Sequence, residues 1–234
     1  MKPVRPRPAA TLVLLDLSEE GPEKTRVLMG RRAPKHDFLP DVFVFPGGRV
    51  DQSDKGPHPA HQRLNADVAG KIDRSSNQAH AIAAAAIRET FEETGLALLK
   101  TAEGGRPTNL PKRPAPGEHS SDAWPGLDLV PTFDVLDYIG RAITPSPSPK
   151  RFDTHFFAAN ATHAKGDVKG NGELLDLDWY PMSDAMKLPL IDVTEFILDH
   201  VASLLKSGAS VGPGFCPEVP FYSWRAGGWT IRRT

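Results

Sequence analysis

Cysteine is nearly absent: Cys216 is the single one in 234 residues. That excludes an intramolecular disulfide and any multi-cysteine zinc site, and it suits a reducing, cytoplasmic setting. Long apolar runs are missing too, with no stretch near the roughly 20 apolar residues of a membrane span. The opening MKPVRPRPAATLVLLDL sets basic residues before an apolar run, which is the order of a signal peptide. That run covers only Ala9 to Leu15, stops at Asp16 and has no small-residue cleavage site behind it. It reads as a first buried strand after a Pro/Arg leader. An excess of either charge is lacking as well: 28 basic against 29 acidic residues leave a formal net charge of -1. Nothing global then draws the chain to nucleic acid or to an anionic membrane, and binding of a polyanion must be local. The histidines are scattered without the i, i+4 pairing of a zinc helix, Cys216 has no activating group nearby in sequence, and there is no internal repeat.

What is present is an ordered succession of strand-like and helical stretches. AATLVLLDL and TRVLMGRR, parted by a polar Gly/Pro turn, read as a hairpin, and DVFVFPGGRV is a third strand-like run ended by Pro46-Gly47-Gly48. Residues 51 to 78 are polar and punctuated by Gly, Pro, Asp and Ser, an excursion from the sheet. QAHAIAAAAIRETFEETG is the clearest helix, with Ala84, Ile87 and Phe91 as its apolar stripe and Gly95 as its stop. Residues 101 to 126 are Pro/Gly-rich without periodicity and read as a loop or mobile insertion. FDVLDYIGRAIT, RFDTHFFAAN and LLDLDWYPM read as further strands. DVTEFILDHVASLLK reads as an amphipathic helix with Val193, Phe196, Ile197, Val201 and Leu204 inward. Strands, helix, strands, helix in that order argue for one α+β domain, a mixed sheet with helices packed on it, carrying two insertions.

The chemistry concentrates in RETFEETGL, residues 88 to 96. On a helix, Glu89, Glu92 and Glu93 fall at i, i+3, i+4 and converge on one face, opposite Ala84, Ile87 and Phe91. Like charges at that spacing repel, and no Lys or Arg follows four residues downstream. Most acidic helix stretches are simply solvated faces. The alternative is a hard divalent cation, Mg²⁺ or Mn²⁺, which takes carboxylate oxygens and leaves other positions to water and phosphate. Upstream, the two glycines of FPGGRV let backbone amides approach a phosphate closely, although a Pro-Gly-Gly alone is usually a tight turn.

Taken together, these pieces resemble the Nudix hydrolase signature: a leading glycine, a spaced glutamate, then Arg-Glu-(apolar)-x-Glu-Glu-x-Gly-(apolar). Arg88, Glu89, Phe91, Glu92, Glu93, Gly95 and Leu96 fill the second half in register, with Thr90 at a position usually apolar and Gly48 as the leading glycine. Two departures stand out. Gly48 precedes Arg88 by 40 positions rather than 14, and residue 54, where a glutamate is expected six positions after the glycine, is Asp in a polar run that looks unrelated, with Asp51 or Asp54 as the substitute ligand if the excursion supplies one. The inserted stretch, the upstream RRAPKHDFLPDVFVFPGG and the downstream RAITPSPSPKRFDTHFF are similar to a subgroup related to peroxisomal coenzyme A diphosphatases.

The resemblance implies a Nudix fold and hydrolysis of a diphosphate in a small nucleoside-diphosphate-linked substrate, with coenzyme A-like compounds favoured. Glu92 and Glu93 would hold Mg²⁺ or Mn²⁺, and Glu89 would be a further ligand or the base. Arg88 would orient a glutamate, and Glu173 is an additional base or ligand if it is more than a surface acid. Gly47, Gly48, Arg31 and Arg151 are the candidates for substrate phosphate, with Arg32, Lys35 and His36 beside them, although Arg31, Arg32, Lys35 and His36 read equally as a solvated basic loop. His155 and Asp153 read as strand-face residues. The aromatic, basic tail (Phe221, Tyr222, Trp224, Trp229, Arg232, Arg233) resembles a nucleic-acid platform in composition, but the near-neutral chain favours a packing or homodimer segment. The competing expectation is a Nudix-fold regulator that binds a nucleotide without cleaving it.

Overall fold

The apolar run that opens the chain becomes its central strand. In the computed structural model, which describes residues 4–19, 21–36, 38–56, 63–72, 74–114, 128–225 and 228–233, Arg7–Asp16 forms β1. Leu12, Val13, Leu14 and Leu15 are all fully buried, so both faces of the strand are covered. That explains an unbroken apolar run in place of alternation. Each such leucine stabilises the fold by roughly 1.5–3 kcal/mol relative to an exposed one.

In chain order there follow β2 (Arg26–Arg32), β3 (Phe43–Val44), β4 (Gly47–Arg49), α1 (Ala66–Gly70), α2 (Ser76–Thr94), β5 (Leu99–Thr101), β6 (Leu129–Pro131) and β7 (Asp137–Ile143). The rest are β8 (Phe152–Asn160), β9 (Leu174–Pro181), α3 (Met182–Ala185), α4 (Asp192–Lys206), β10 (Pro220–Arg225) and β11 (Gly228–Arg233). One mixed sheet runs β11-β10-β7-β8-β1-β2-β3, with β4 added to β1 and β9 to β2. The β1/β8 and β7/β10 pairs are parallel and the other pairs antiparallel. The expected first hairpin is brief: β1 meets β2 only at Leu15–Val27 and Asp16–Arg26, and the lower half of β1 pairs with β4 instead. The third strand-like run is broken into β3 and β4, and Pro46, which has no N–H, accepts the Leu12 amide across the break.

Two glycines show how the helices sandwich the sheet. A side chain on Gly48 would strike the Glu89 carboxylate of α2, and one on Gly140 in β7 would strike Ile197 of α4. Gly48 pairs with Ala10, and Gly140 with Phe156, which in turn pairs with Thr11. Ala10 and Thr11 are successive residues of β1 and face opposite ways, so α2 and α4 cover opposite faces. This is the sheet between helices that the sequence led us to expect. Helix α2 ends where expected, with Gly95 at φ 80° and its amide on the Phe91 carbonyl.

The two insertions differ. Of residues 51–78, positions 57–62 and 73 lie outside the described residues. What is described returns beside the sheet, where Arg74 pairs with Asp153 of β8. Residues 101–114 are not a free loop. Pro107 and Pro111 are buried, Leu110 packs on the core, Lys165 donates to the Pro107 carbonyl, and Arg113 donates to the carbonyls of Lys169 and Gly170. Isolated buried prolines carry no period, which is why this anchoring is invisible to pattern reading. The remainder, with Trp124, lies outside the described residues. The tail is a packing segment, since β10 and β11 extend the sheet. Among the described residues no helix is long and apolar enough to cross a membrane.

Candidate active site

Helix α2 is buried nearly all round, so its acids do not form a solvated face. Glu92 and Glu93 are each only 8% exposed. Alanines at 79, 81 and 83–86 let the helix sink against β1 and β4, carrying the acidic turn down with it.

The repulsion among the acids is relieved from upstream. Arg88, fully buried, points Nη1 at Glu89 Oε1 and Glu92 Oε2, each 3.0 Å away. Its other edge forms a two-pronged bond with Asp54, Nε to Oδ1 at 2.8 Å and Nη2 to Oδ2 at 2.9 Å, and Nη2 also donates to the Arg49 carbonyl. Burial opposes the guanidinium charge, but the bond to Asp54 and the fields of Glu89, Asp54 and Glu92 outweigh it and hold the group firmly protonated. Asp54 is therefore no member of an unrelated polar run. It is buried, sits six positions after Gly48 as the signature's missing glutamate would, and is joined to the motif arginine. An acid at the right offset was the available signal; the sequence offered it, with Asp51, as a substitute metal ligand and not as the partner of Arg88.

Gly47 and Gly48 do line the cavity, yet the structure commits them to the glutamates. The Gly47 amide donates to Glu93 Oε2 at 2.9 Å. A Cβ on Gly48 would stand 2.4 Å from the Glu89 carboxylate carbon, so glycine there makes room for Glu89. The close approach that the sequence reserved for a phosphate is made by protein carboxylates.

Glu89, Glu92, Glu93 and Glu173 all border one cavity of 620 Å³, with Arg32, Arg49 and His36. Glu173 precedes β9, and its charge reaches Glu93. Arg31 is not brought there. Successive residues of β2 face opposite ways, so Arg31 binds Asp41 and Asp176 while Arg32 enters the cavity. Arg151 is also elsewhere, donating to the carbonyls of Thr144 and Val4 as a tie between the segment preceding β1 and the β7–β8 turn. Asp153 is clasped by Arg141 and Arg74. Burial raises its carboxyl, but these cations and His155 hold it below the ordinary carboxylate range. Cys216 is fully buried, and its sulfur has a neighbour the sequence did not reveal, His200 Nε2 at 3.3 Å.

The donor set fits a hard cation. Burial, the neighbouring Glu92 and nearby Asp54 raise Glu89 to about 7 against the pull of Arg88. Burial, Glu89 and Glu173 push Glu93 well above the ordinary carboxylate value. Among the described residues no three acids or histidines close into a preformed cage. A Mg²⁺-like ion that keeps water and substrate oxygens suits such an open set. A measurable consequence follows. The folded state holds these protons more tightly than an unfolded chain, whose glutamates titrate near 4.5. The metal-free protein therefore loses stability as pH rises from 4.5 through about 7, by a few kcal/mol at most. Thermal melts across that range should show the loss, and added Mg²⁺ or Mn²⁺ should reverse it at the upper end. A metal-free melt that is flat across this window would mean that the carboxylates are not strained.

A mixed sheet between two helices, with an Arg-Glu-x-x-Glu-Glu turn set against a Gly-Gly strand, is the arrangement of the Nudix proteins. No family model matches the chain. A Nudix hydrolase from Alicyclobacillus acidocaldarius superposes with a TM-score of 0.65 at 28% identity, covering 90% of this chain and 99% of that one. Acyl-coenzyme A diphosphatase NUDT19 of Homo sapiens is 30% identical over 144 residues, a match that takes in 51% of this chain and 35% of that protein. The match thus spans about a third of the length of this curated relative. The chain has the Nudix fold, and its motif and these likenesses make it similar to the Nudix hydrolases.

Proposed function

We propose that the protein hydrolyses the diphosphate bond of a nucleoside-diphosphate-linked compound, coenzyme A derivatives foremost, with Mg²⁺ or Mn²⁺ held by Glu89, Glu92 and Glu93. The observation that carries this reading is the set of four carboxylates on one cavity, two of them driven above their ordinary protonation range by burial and by one another. When bound, the cation would neutralise bridging phosphate charge and acidify a water molecule. The chain's own groups do the rest. Arg88, clamped by Asp54, fixes the direction in which Glu89 and Glu92 present their oxygens. Gly47 fixes Glu93. Arg32 and Arg49 are the cavity's guanidinium groups and the natural partners for phosphate oxygens. Glu89 and Glu173 are the carboxylates we assign to accepting the proton of the attacking water, the first tied to Arg88 and the second bordering the cavity near Glu93. The human relative's name, an acyl-coenzyme A diphosphatase, supports the substrate class. The single buried Cys216 suits a reducing cytoplasm.

The test is a panel of coenzyme A, acyl-coenzyme A, ADP-ribose, dinucleotides and nucleoside triphosphates, run with Mg²⁺, with Mn²⁺ and with excess EDTA. Turnover of coenzyme A compounds that chelator abolishes is the expected result. Full turnover in EDTA would remove the metal mechanism. Tight binding of a nucleotide with no turnover would make the protein a regulator instead.

A further inference from the structure

We infer that the C-terminal hairpin β10–β11 forms a subsite for an extended, uncharged aliphatic arm of the substrate. The inference rests on the diphosphate occupying the carboxylate end of the cavity, as proposed above.

The sheet register places the two ends. Tyr222 of β10 pairs with Ala142 of β7, Ala142 with Thr154 of β8, Thr154 with Ala9 of β1, and Ala9 with Arg49 of β4. Residues paired in this way lie on one face, and all five line the cavity, so they form a single row across its floor. Four strand spacings separate Arg49 from Tyr222, roughly 19 Å. A long arm covers that distance, and a nucleoside does not.

The two ends differ in chemistry. Among the described residues, the cavity's guanidinium groups, Arg32 and Arg49, belong to β2 and β4, beside the glutamates. At the hairpin end the lining is Tyr222, Trp229, Ala142, Ile191 and Val193, with Asp192 as the charged group. Asp192 accepts the Trp229 indole N–H at 2.9 Å. Among the described residues lining that end, a second phosphate would meet this carboxylate and no guanidinium.

The rings also argue against a nucleobase. Tyr222 is sandwiched between Phe196, at 4.7 Å and 20°, and Trp229, at 4.3 Å and 19°. Trp229 has Tyr222 on one face and Trp224 set at 88° to it at 5.2 Å. The tyrosine faces are spent on this stack, so a planar base has no platform on them, whereas methylene groups pack against ring edges and aliphatic side chains without needing one. An acyl chain and the thiol-bearing arm of coenzyme A share that chemistry.

Binding measured by calorimetry in the Glu93→Gln background with Mg²⁺ keeps turnover out of the readout, and the probes are coenzyme A, octanoyl-coenzyme A and ADP-ribose. The expected result is octanoyl-coenzyme A binding at least about tenfold tighter than coenzyme A, the scale of burying two methylenes. Coenzyme A itself should bind more tightly than ADP-ribose if its own arm reaches the wall. Trp229→Ala should shrink the acyl preference to under about threefold. Should that variant fail to fold, Ala142→Leu, which fills the floor beside Tyr222, should do the same. No acyl preference in the parent, or a preference that survives both changes, would overturn the inference. So would a loss on Trp229→Ala that is equal for ADP-ribose and octanoyl-coenzyme A, because the wall would then receive the base. Wild-type turnover of the panel above is scored separately: its absence would sink the diphosphatase reading and leave the binding comparison to decide the subsite.

Discussion

Glu93→Gln should lower the turnover rate by at least about a hundredfold while the fold stays intact, the scale of removing a charge-stabilising group from a preorganised site. Glutamine keeps the shape and an oxygen to accept the Gly47 amide, now donated to Glu93 Oε2 at 2.9 Å. It removes a buried charge whose protonation burial already favours. The metal-free variant should therefore melt at or above the parent at neutral pH. The midpoint of the Mg²⁺ or Mn²⁺ titration should move to higher concentration. Turnover, melts across a metal titration, and a circular dichroism spectrum check all three parts. Unchanged turnover in a well-folded variant would reduce the carboxylates to packing groups.

The second large effect is expected at Asp54. Removing this carboxylate in Asp54→Ala leaves the fully buried Arg88 without its two-pronged partner. Breaking a buried pair from one side costs about 3–5 kcal/mol. For a chain of this size that is a drop in melting temperature on the order of 10 °C. Arg88 would then re-aim, and Glu89 and Glu92, each 3.0 Å from its Nη1, would lose their direction. Turnover should fall by on the order of a hundredfold, as misplacement of about 1 Å does elsewhere. A purely structural residue would lower stability alone. A positioning residue also shifts the midpoint of the metal titration and is rescued in large part by Asp54→Glu, which restores the carboxylate. If Asp54→Ala melts lower but keeps its metal midpoint and turnover, Asp54 is structural only.

Much of the site was legible because it lies in one helix. Arg88, Glu89, Glu92 and Glu93 are neighbours at 3.6 residues per turn, and a linear motif carries their spacing. Reading their charge was harder. The missing downstream cation suggested an uncompensated cluster, but the compensation comes from Arg88 in the same turn and is balanced by Asp54, 34 positions upstream across the excursion. The choice between Arg31 and Arg32 turned on strand phase, a one-residue matter that flips a side chain to the other face. Arg151 lay near the right strands, yet its guanidinium closes backbone carbonyls, a contact with no sequence pattern.

The sequence by itself determined the order of the elements, the burial of the Ala9–Leu15 run as a strand, the helix with its Gly95 stop and the acidic turn of the motif. Each is a local or periodic property, carried by residues within a few positions of one another. Tertiary structure alone decided that the acids are buried and that Gly47 and Gly48 serve Glu93 and Glu89. It also made Asp54 part of the Arg88 network and set the C-terminal aromatics as the far wall of the same cavity. Those facts depend on strand order and register, and Tyr222 comes to lie in one row with Ala9 only through the pairing of β10, β7, β8 and β1. Such long-range pairings follow from the burial of all the strands at once, which no window of the chain contains.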